Sequence, residues 1–264
     1  MVLFDAHAHY NDSRFDTEYD GGAVKAIKDA LEGRIVGFLN AGTDPETSRL
    51  SVDMANTYNG VYAAVGLHPE DCEDYRDSIA DALTCIEKLA GKDKAVAIGE
   101  IGLDYHWDID KKIQKDVFDS QLSMAGQLGL PVCIHDRDAH GDTLDIIKCH
   151  RNVIGMMHGY SGSAETAREY LNMGWYISFG GPVTYKNAQR VRDAMCAVPS
   201  DRLLIETDCP YLPPVPFRGK LNHSLYMFYT LESMAQTRNE NIEKLAESTV
   251  SNAERLFEIT LPRP

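Results

Sequence analysis

Short apolar segments alternate with amphipathic helical patterns along nearly the whole chain, and this alternation restricts the possible folds more than any other property of the sequence. Short β-branched runs of this kind are typical of strands buried on both faces. The predicted strands cover residues 2–9, 35–41, 61–67, 95–101, 131–135, 154–158, 175–179 and 203–207. The predicted helices cover residues 22–31, 45–57, 78–89, 111–128, 142–150, 164–172 and 186–197, with a final pair within 221–237 and 240–257.

Eight alternations of strand and helix in 264 residues predict an α/β protein, a (β/α)8 TIM-like barrel that forms a single domain over residues 1–264. A three-layer, doubly wound sheet is the alternative. The hydrophobic content of 44% is enough for a sizeable core.

Residues that bind metals or transfer protons lie where the predicted strands end. In a (β/α)8 barrel the active site lies at the carboxyl ends of the strands, so these side chains are expected to meet. They come from six different strands and are His7, His9, His68, Glu100, His135, His158 and Asp208.

The first strand places two histidines two residues apart. Side chains alternate between the faces of a strand, so Asp5, His7 and His9 are expected to point the same way. Two imidazoles from one strand form a chelating pair for a metal ion.

Four histidines and two carboxylates exceed the roughly three protein ligands of one catalytic zinc ion, and they predict a site for two divalent ions. We expect His7 and His9 to hold one ion and His135 and His158 to hold the other, with Glu100 bridging them. Imidazole and carboxylate ligands leave Zn²⁺, Mn²⁺ and Mg²⁺ open, although four imidazoles favour the softer ions.

Asp208 is expected to be a metal ligand and to accept a proton from the water between the ions. Two ions about 4 Å apart lower the pKa of a shared water and stabilise charge on a phosphodiester or carbonyl group under attack. The predicted reaction is therefore hydrolysis, with Glu100 and Asp208 as its catalytic residues.

Cations near the same strand ends are predicted to contact the substrate. These cations are placed to contact phosphates. They are Arg137, and Arg218 and Lys220 in the loop after the eighth strand. His68 is expected to contact substrate or to have a structural role rather than to bind metal.

Two further groups complete the predicted site. Asp5 and Glu206 share strand faces with proposed ligands and lie deeper, where a carboxylate can orient a ligating imidazole. The aromatic side chains of Tyr105, Trp107 and Tyr160 are candidates for stacking on nucleobases or for packing in a lid.

The composition excludes several classes of protein. Twenty-six Lys and Arg against forty Asp and Glu give a net charge of −14, which argues against sequence-independent coating of DNA or membrane. Six scattered cysteines indicate reduced thiols rather than a disulfide framework. With no secretory signal and no membrane span in the sequence, we expect a cytoplasmic protein with no membrane attachment and no obligate protein partner.

Six ordered motifs resemble the TatD family of metal-dependent deoxyribonucleases, within the amidohydrolase superfamily, from residue 2 to about residue 257. They are Asp5-x-His7-x-His9, Gly99-Glu100-x-Gly102-Leu103-Asp104-Tyr105, Ile134-His135-x-Arg137, His158-x-x-Ser161-Gly162-Ser163, Glu206-Thr207-Asp208-x-Pro210-Tyr211-Leu212 and Arg218-Gly219-Lys220-x-Asn222. The resemblance implies a TIM-like barrel, metal-dependent hydrolysis of DNA, often from the 3′ end, and a mostly cytoplasmic location. It also implies metal ligation by the six residues reached from strand-end placement.

Two motifs of this chain depart from the family's usual sequence. The family's usual Arg-Gly-Lys-x-Asn-Glu-Pro ends here in His223-Ser224, and its usual His-Cys-Phe-Ser-Gly is here His158-Gly159-Tyr160-Ser161-Gly162.

A small-molecule amidohydrolase or lactonase that uses the same two ions is the alternative enzyme, and the net charge of −14 favours it mildly. A metal-storing or scaffold protein is the alternative without catalysis.

Overall fold

The computed structural model describes residues 1–262 and contains eight strands. They are β1 (Leu3–Ala8), β2 (Ile35–Ala41), β3 (Val61–Val65), β4 (Ala95–Asp104), β5 (Val132–Arg137), β6 (Gly155–Met157), β7 (Tyr176–Phe179) and β8 (Leu203–Ile205).

Ten α-helices lie between and after these strands among the described residues. They are α1 (Arg14–Glu18), α2 (Gly22–Glu32), α3 (Pro45–Thr57), α4 (Ile79–Ala90), α5 (Lys111–Leu128), α6 (His140–Cys149), α7 (Ala164–Asn172), α8 (Gln189–Ala197), α9 (Met227–Arg238) and α10 (Ile242–Phe257). Gly181–Thr184 and Ser224–Tyr226 form short 3-10 helices.

Contacts divide the chain into two compact units, residues 1–40 with 159–264 (unit 1) and residues 41–158 (unit 2). The prediction of a single domain stays a prediction. The six cysteines are free thiols, as the sequence predicts. Within residues 1–262, no helix has both the length and the apolar character that crossing a membrane requires.

Unit 1 contains two parallel strand pairs, β1 with β2 and β7 with β8. The segment after β8 continues along β1, because the backbone N–H of Asp208 donates to the carbonyl of His7 (2.9 Å) and that of His9 donates to the carbonyl of Cys209 (2.8 Å). Helix α10 packs on both β1 and β8, and Phe257 lies 6.3 Å from Phe4 between ring centroids. The ends of β1 and β8 are thus fixed side by side.

Unit 2 contains four consecutive parallel strands, β3 to β6, with α3 packed on β3 and α5 on β4. The strands are almost wholly buried, as their continuous apolar sequences predict. Helix α3 begins at a capping box in which Asp44 accepts from the backbone N–H of Thr47 (2.7 Å). Helix α5 ends at Gly129, whose φ of 68° is the left-handed conformation that suits glycine.

The predicted end of β4 is wrong. The sequence suggests that this strand stops near Glu100, but the strand runs on to Asp104 because residues 101–104 pair with residues 134–137 of β5. Glu100 therefore lies in the middle of β4, beside a register shift between Ile98 and Ile101. The sequence also misses the short helix α1, which has only one buried residue, Phe15.

Candidate metal clusters

Unit 1 brings together three of the predicted ligands, His7, His9 and Asp208, which we call the first cluster. The Nε2 atoms of His7 and His9 are 2.9 Å apart. Oδ1 of Asp208 lies 3.4 Å from Nε2 of His9 and 3.7 Å from Nε2 of His7. Ligand atoms this close fit around one ion, since Zn–N and Zn–O bonds of about 2.0–2.2 Å place neighbouring ligands roughly this far apart.

The local backbone explains why these three side chains meet. His7 lies in β1 and His9 follows its last residue, and the 2.9 Å between their Nε2 atoms shows that both side chains point the same way. Asp208 has a φ of 56°, a left-handed conformation that aspartate tolerates better than most residues. The hydrogen bond from its backbone N–H to His7 holds that conformation and brings the carboxylate alongside both imidazoles.

A buried polar network lies beneath the first cluster. Asp5 accepts hydrogen bonds from the backbone N–H (2.8 Å) and hydroxyl (2.6 Å) of Thr207 and from the hydroxyl of Ser224 (2.7 Å). The hydroxyl of Ser224 also lies 2.8 Å from that of Tyr10, whose oxygen accepts from the Ser224 backbone N–H at 3.1 Å. Burial raises the pKa of Asp5 to about 7, although these hydrogen bonds oppose the shift.

This network gives Ser224 and Asp5 their structural roles. Ser224 occupies the place of the family's usual proline, and its hydroxyl ties the loop after β8 to β1. Asp5 lies 3.4 Å from the backbone N–H of His7 and contacts the residue before Asp208, so it fixes the chain on both sides of the first cluster. The prediction that Asp5 orients a metal-binding imidazole stays a prediction. Glu206 accepts from the backbone N–H of Gly159 (2.6 Å).

Unit 2 brings together Glu100, His135 and His158, which we call the second cluster. Oε1 of Glu100 lies 2.8 Å from Nε2 of His158 and 3.0 Å from Nδ1 of His135. The two imidazole nitrogens are 3.3 Å apart. Glu100 and His158 are buried, and the His135 side chain is 18% exposed, so one side of the cluster is open to solvent.

Asp104 contacts the second cluster from behind His135. Its Oδ2 atom lies 2.9 Å from Nε2 of His135, and its Oδ1 atom accepts from the backbone N–H of His106 at 2.9 Å. Burial raises the pKa of Asp104, but these hydrogen bonds outweigh it and hold the pKa below its usual value. Burial lowers the pKa of His135, whereas hydrogen bonds to Asp104 and Glu100 raise it to about 9.

The sequence predicts a structural turn or a hydrogen-bond role for Asp104 rather than a catalytic one, and its contact with His135 is such a hydrogen bond. Asp104 follows Glu100 by four residues, and strand parity puts both on one face. A carboxylate on one imidazole nitrogen leaves the other nitrogen free to bind a metal.

His68 lies beside the second cluster, with its Nε2 atom 3.3 Å from Oε1 of Glu100. Its Nδ1 atom accepts from the backbone N–H of Glu70 (3.2 Å), so the neutral ring carries its proton on Nε2. That nitrogen then faces Glu100 as a donor. This tautomer favours a role as a hydrogen-bond donor over metal ligation.

The predicted substrate contacts have different environments. Arg137, Arg218 and Lys220 are exposed, and the Arg218 guanidinium lies 4.4 Å from the centroid of the Tyr185 ring. Tyr160 is only 4% exposed, and its hydroxyl donates to a backbone carbonyl, so its predicted substrate contact has no support in this geometry.

The loop with Arg218 and Lys220 is fixed to the end of β8 by Asn222. The Asn222 amide donates to the carbonyls of Thr207 (2.9 Å) and Tyr211 (2.7 Å). The same loop thus follows directly on the residues that position Asp208.

Each cluster suits a divalent metal ion. Imidazole nitrogens and carboxylate oxygens are ligands of Zn²⁺ and Mn²⁺, and three protein donors leave coordination positions for water and substrate. The ligand atoms of each cluster lie within 3.7 Å of one another, so each cluster could hold a metal ion.

Residues 4–258 match the model of the family described as TatD related DNase. The YabD protein of Bacillus subtilis, named an uncharacterized metal-dependent hydrolase, is 44% identical over 261 residues, which cover 98% of this chain and 100% of YabD. YcfH of Escherichia coli K12, with the same description, is 36% identical over 100% of this chain and 98% of its own. A protein of Klebsiella pneumoniae named 3′-5′ ssDNA/RNA exonuclease TatD is 31% identical over 97% of this chain and 98% of its own.

The solved structure of the TatD homologue YjjV from Escherichia coli K12 has the same fold. Its TM-score is 0.89 at 29% sequence identity, and the match covers 98% of each chain. This likeness and the eight parallel strands alternating with helices confirm the predicted (β/α)8 fold class. The chain belongs to the TatD family of metal-dependent hydrolases.

Proposed function

We propose that this protein hydrolyses phosphodiester bonds of DNA, as a 3′-5′ exodeoxyribonuclease, with one divalent ion at each of the two clusters. The observation that carries the proposal is that six imidazole and carboxylate donors lie in two compact groups, with donor separations of 2.8–3.7 Å. Membership of the family and the name of the Klebsiella relative support a nucleic acid substrate.

The residues of the first cluster bind the metal and receive the proton. When bound, divalent ions lower the pKa of a coordinated water and offset charge on the phosphate. Asp208 is suited to accept the proton, because its side chain is 18% exposed and so reaches solvent while touching both imidazoles. The bridging role predicted for Glu100 stays a prediction.

Exposed cations orient the substrate in this proposal. The Nε2–H of His68 faces Oε1 of Glu100 at 3.3 Å, so the substrate contact predicted for His68 stays a prediction. Arg137, Arg218 and Lys220 supply exposed positive charge for the neighbouring phosphates, in a chain whose net charge is −14.

Labelled DNA tests the proposal directly. Protein loaded in turn with Mg²⁺, Mn²⁺ or Zn²⁺ is incubated with 3′-labelled and 5′-labelled single-stranded and duplex DNA. We expect early release of the 3′ label as mononucleotide, while the 5′ label stays on shortening fragments. Absence of any nucleotide release, with cleavage of another ester or amide, would contradict it.

A small-molecule amidohydrolase or lactonase is the second candidate, and the net charge of −14 is the observation that favours it, because this surface repels polyanions. A panel of lactones and amides, assayed beside DNA with the same metal-loaded protein, separates the two. A cytoplasmic location and the absence of an obligate protein partner stay predictions.

A further inference from the structure

The loop after β4 forms an open cleft that the two clusters do not use. It has a volume of about 440 Å³ and is lined by residues 105–111. Trp107 lies in this lining and is 49% exposed. An exposed tryptophan contributes little to the core, and tryptophan is enriched at interfaces, where its apolar ring and its polar N–H can both find partners.

This loop is held in place next to the second cluster. The buried side chain of Gln114 donates to the carbonyls of Asp104 (2.8 Å) and Ile109 (3.4 Å) and accepts from the backbone N–H of Asp104 at 2.9 Å. Asp104 in turn contacts His135 through its carboxylate. The cleft therefore begins one residue after a group that touches a proposed metal ligand.

The structure distinguishes among the three aromatic residues that the sequence offers for stacking. The Tyr105 ring is covered by the Lys111 ammonium at 4.1 Å, and its hydroxyl donates to Asp142. Tyr160 is buried. The Trp107 ring packs against the ring of His106 at an interplanar angle of 82°, and Trp107 is 49% exposed. Trp107 alone of the three offers a ring to a ligand.

The Arg137 side chain lies beside the Trp107 ring. The Arg137 guanidinium lies 6.0 Å from the Trp107 ring centroid, and Arg137 follows His135 by two residues on β5. Residues two apart on a strand share a face, so the side chains of His135 and Arg137 leave β5 on the same side. A phosphate near the cluster and an aromatic base in the cleft would thus be neighbours along one strand of nucleic acid.

We propose that residues 105–111 and Arg137 form a nucleotide subsite in which Trp107 stacks on an unpaired nucleobase and Arg137 contacts the adjoining phosphate. This inference rests on the proposed function, because it assigns the substrate of that same site. A base inside a duplex already has both faces stacked, so only an unpaired base can use the ring.

The cleft favours a neutral planar ligand over a peptide or a second copy of the chain. Asp108 and Asp110 also line it, and their carboxylates can accept hydrogen bonds from exocyclic amino groups of bases. One tryptophan among charged residues does not form the continuous apolar patch that a protein partner needs. The subsite therefore takes one unpaired base of a single strand or of a frayed 3′ end.

Tryptophan fluorescence tests the subsite without any hydrolysis. The chain has two tryptophans, and Trp175 is only 1% exposed, so a ligand that quenches emission by contact acts on Trp107. The probes are a phosphorothioate single strand, an abasic strand of the same length and a blunt duplex closed by a non-nucleotide linker, each titrated in the presence of a chelator. We expect quenching by the first probe only. Equal quenching by the abasic strand or the duplex, or none by any probe, would overturn the proposal.

Kinetics with variants give a second measurement. Trp107→Ala should raise KM for single-stranded DNA roughly tenfold, with a much smaller change in kcat, because the variant loses the ring on which the base stacks. Trp107→Phe should recover part of the loss. Ile154→Ala should leave both constants unchanged, because it alters another exposed side chain, one residue before the start of β6. An unchanged KM in Trp107→Ala would overturn the subsite.

Hydrolysis of bis(4-nitrophenyl) phosphate by the wild-type protein tests the phosphodiesterase activity separately from the subsite. Hydrolysis of this diester without quenching by any probe would remove the subsite and leave the phosphodiesterase proposal standing. Selective quenching without hydrolysis of any diester would remove the proposed activity and leave the base-binding cleft.

Discussion

Oδ2 of Asp104 lies 2.9 Å from Nε2 of His135, while Nδ1 of the same imidazole faces Glu100 at 3.0 Å. The carboxylate therefore fixes the ring in the orientation that points Nδ1 into the second cluster. Asp104 is fully buried on β4, so this orientation depends on the strand and not on a mobile loop.

Replacing Asp104 with Asn should weaken metal binding at the second cluster by roughly 10- to 100-fold, because partners of metal-bound histidines contribute about that much to affinity. The amide oxygen can still accept from His135, so the fold should persist. Isothermal titration with Zn²⁺ measures the change. Asp53→Asn, at an exposed position on α3, is the matched control, and equal affinities in both variants would refute the role of Asp104.

Replacing Glu100 with Gln should lower kcat/KM for DNA by at least roughly a hundredfold, since metal ions supply several kcal/mol to such reactions. The amide cannot compensate the positive charge of an ion beside His135 and His158. Rates of nucleotide release from 3′-labelled single strands measure the effect. Glu87→Gln, an exposed change on α4, should be silent, and full activity in Glu100→Gln would argue against the second cluster as a catalytic site.

Replacing Ser224 with Ala should lower the free energy of unfolding by about 1–3 kcal/mol, the usual cost of leaving a buried polar group without a partner. The change removes the 2.7 Å hydrogen bond to Asp5 and the hydroxyl beside Tyr10. Urea denaturation measures the change in stability. Ser120→Ala, on the exposed face of α5, should change it by less than ~0.5 kcal/mol, and a similarly small effect at Ser224 would refute the network.

His223 should make the protein less stable in mild acid. Burial lowers the pKa of His223 to about 4, with Asp29 opposing the shift. The unfolded imidazole titrates near 6.5, so the unfolded chain takes up the proton first. Above about pH 6.5, His223 is neutral in both states and does not lower the free energy of unfolding. As the pH falls from there towards about 4, the unfolded chain binds the proton first, so the free energy of unfolding decreases.

A phenylalanine at position 223 removes this titration and keeps a ring against Tyr226, whose centroid lies 3.9 Å away. Between pH 7 and pH 5, His223→Phe should lose roughly 1–2 kcal/mol less stability than the wild type. Denaturation in chelator at each pH measures this without interference from metal release. Parallel stability curves over that interval would show that His223 does not couple folding to pH.

Local sequence predicts much of the fold and the first cluster. The pairing of His7 with His9 follows from alternation along one strand, which needs no knowledge of neighbours. Helices α3, α5 and α7 begin and end where their patterns do, because caps such as Asp44 and Gly129 lie in the sequence itself.

Features that depend on distant contacts were not predictable. The length of β4 is set by its pairing with β5, which extends the strand through Asp104. The left-handed backbone at Asp208 is stabilised by a hydrogen bond to β1, about two hundred residues away in sequence. The hydroxyl of Ser224 reaches Asp5 only in the folded chain, so the sequence alone presents it merely as a departure from the family pattern.

The central claim is that each cluster holds one divalent ion, and native mass spectrometry of metal-loaded protein tests it most directly. We predict a mass increase of two ions for the wild type and one ion each for His9→Gln and His158→Gln, while His150→Gln, at a histidine paired with Asp119 outside both clusters, keeps two. Retention of two ions by either cluster variant, or failure of the wild type to bind any, would contradict the account.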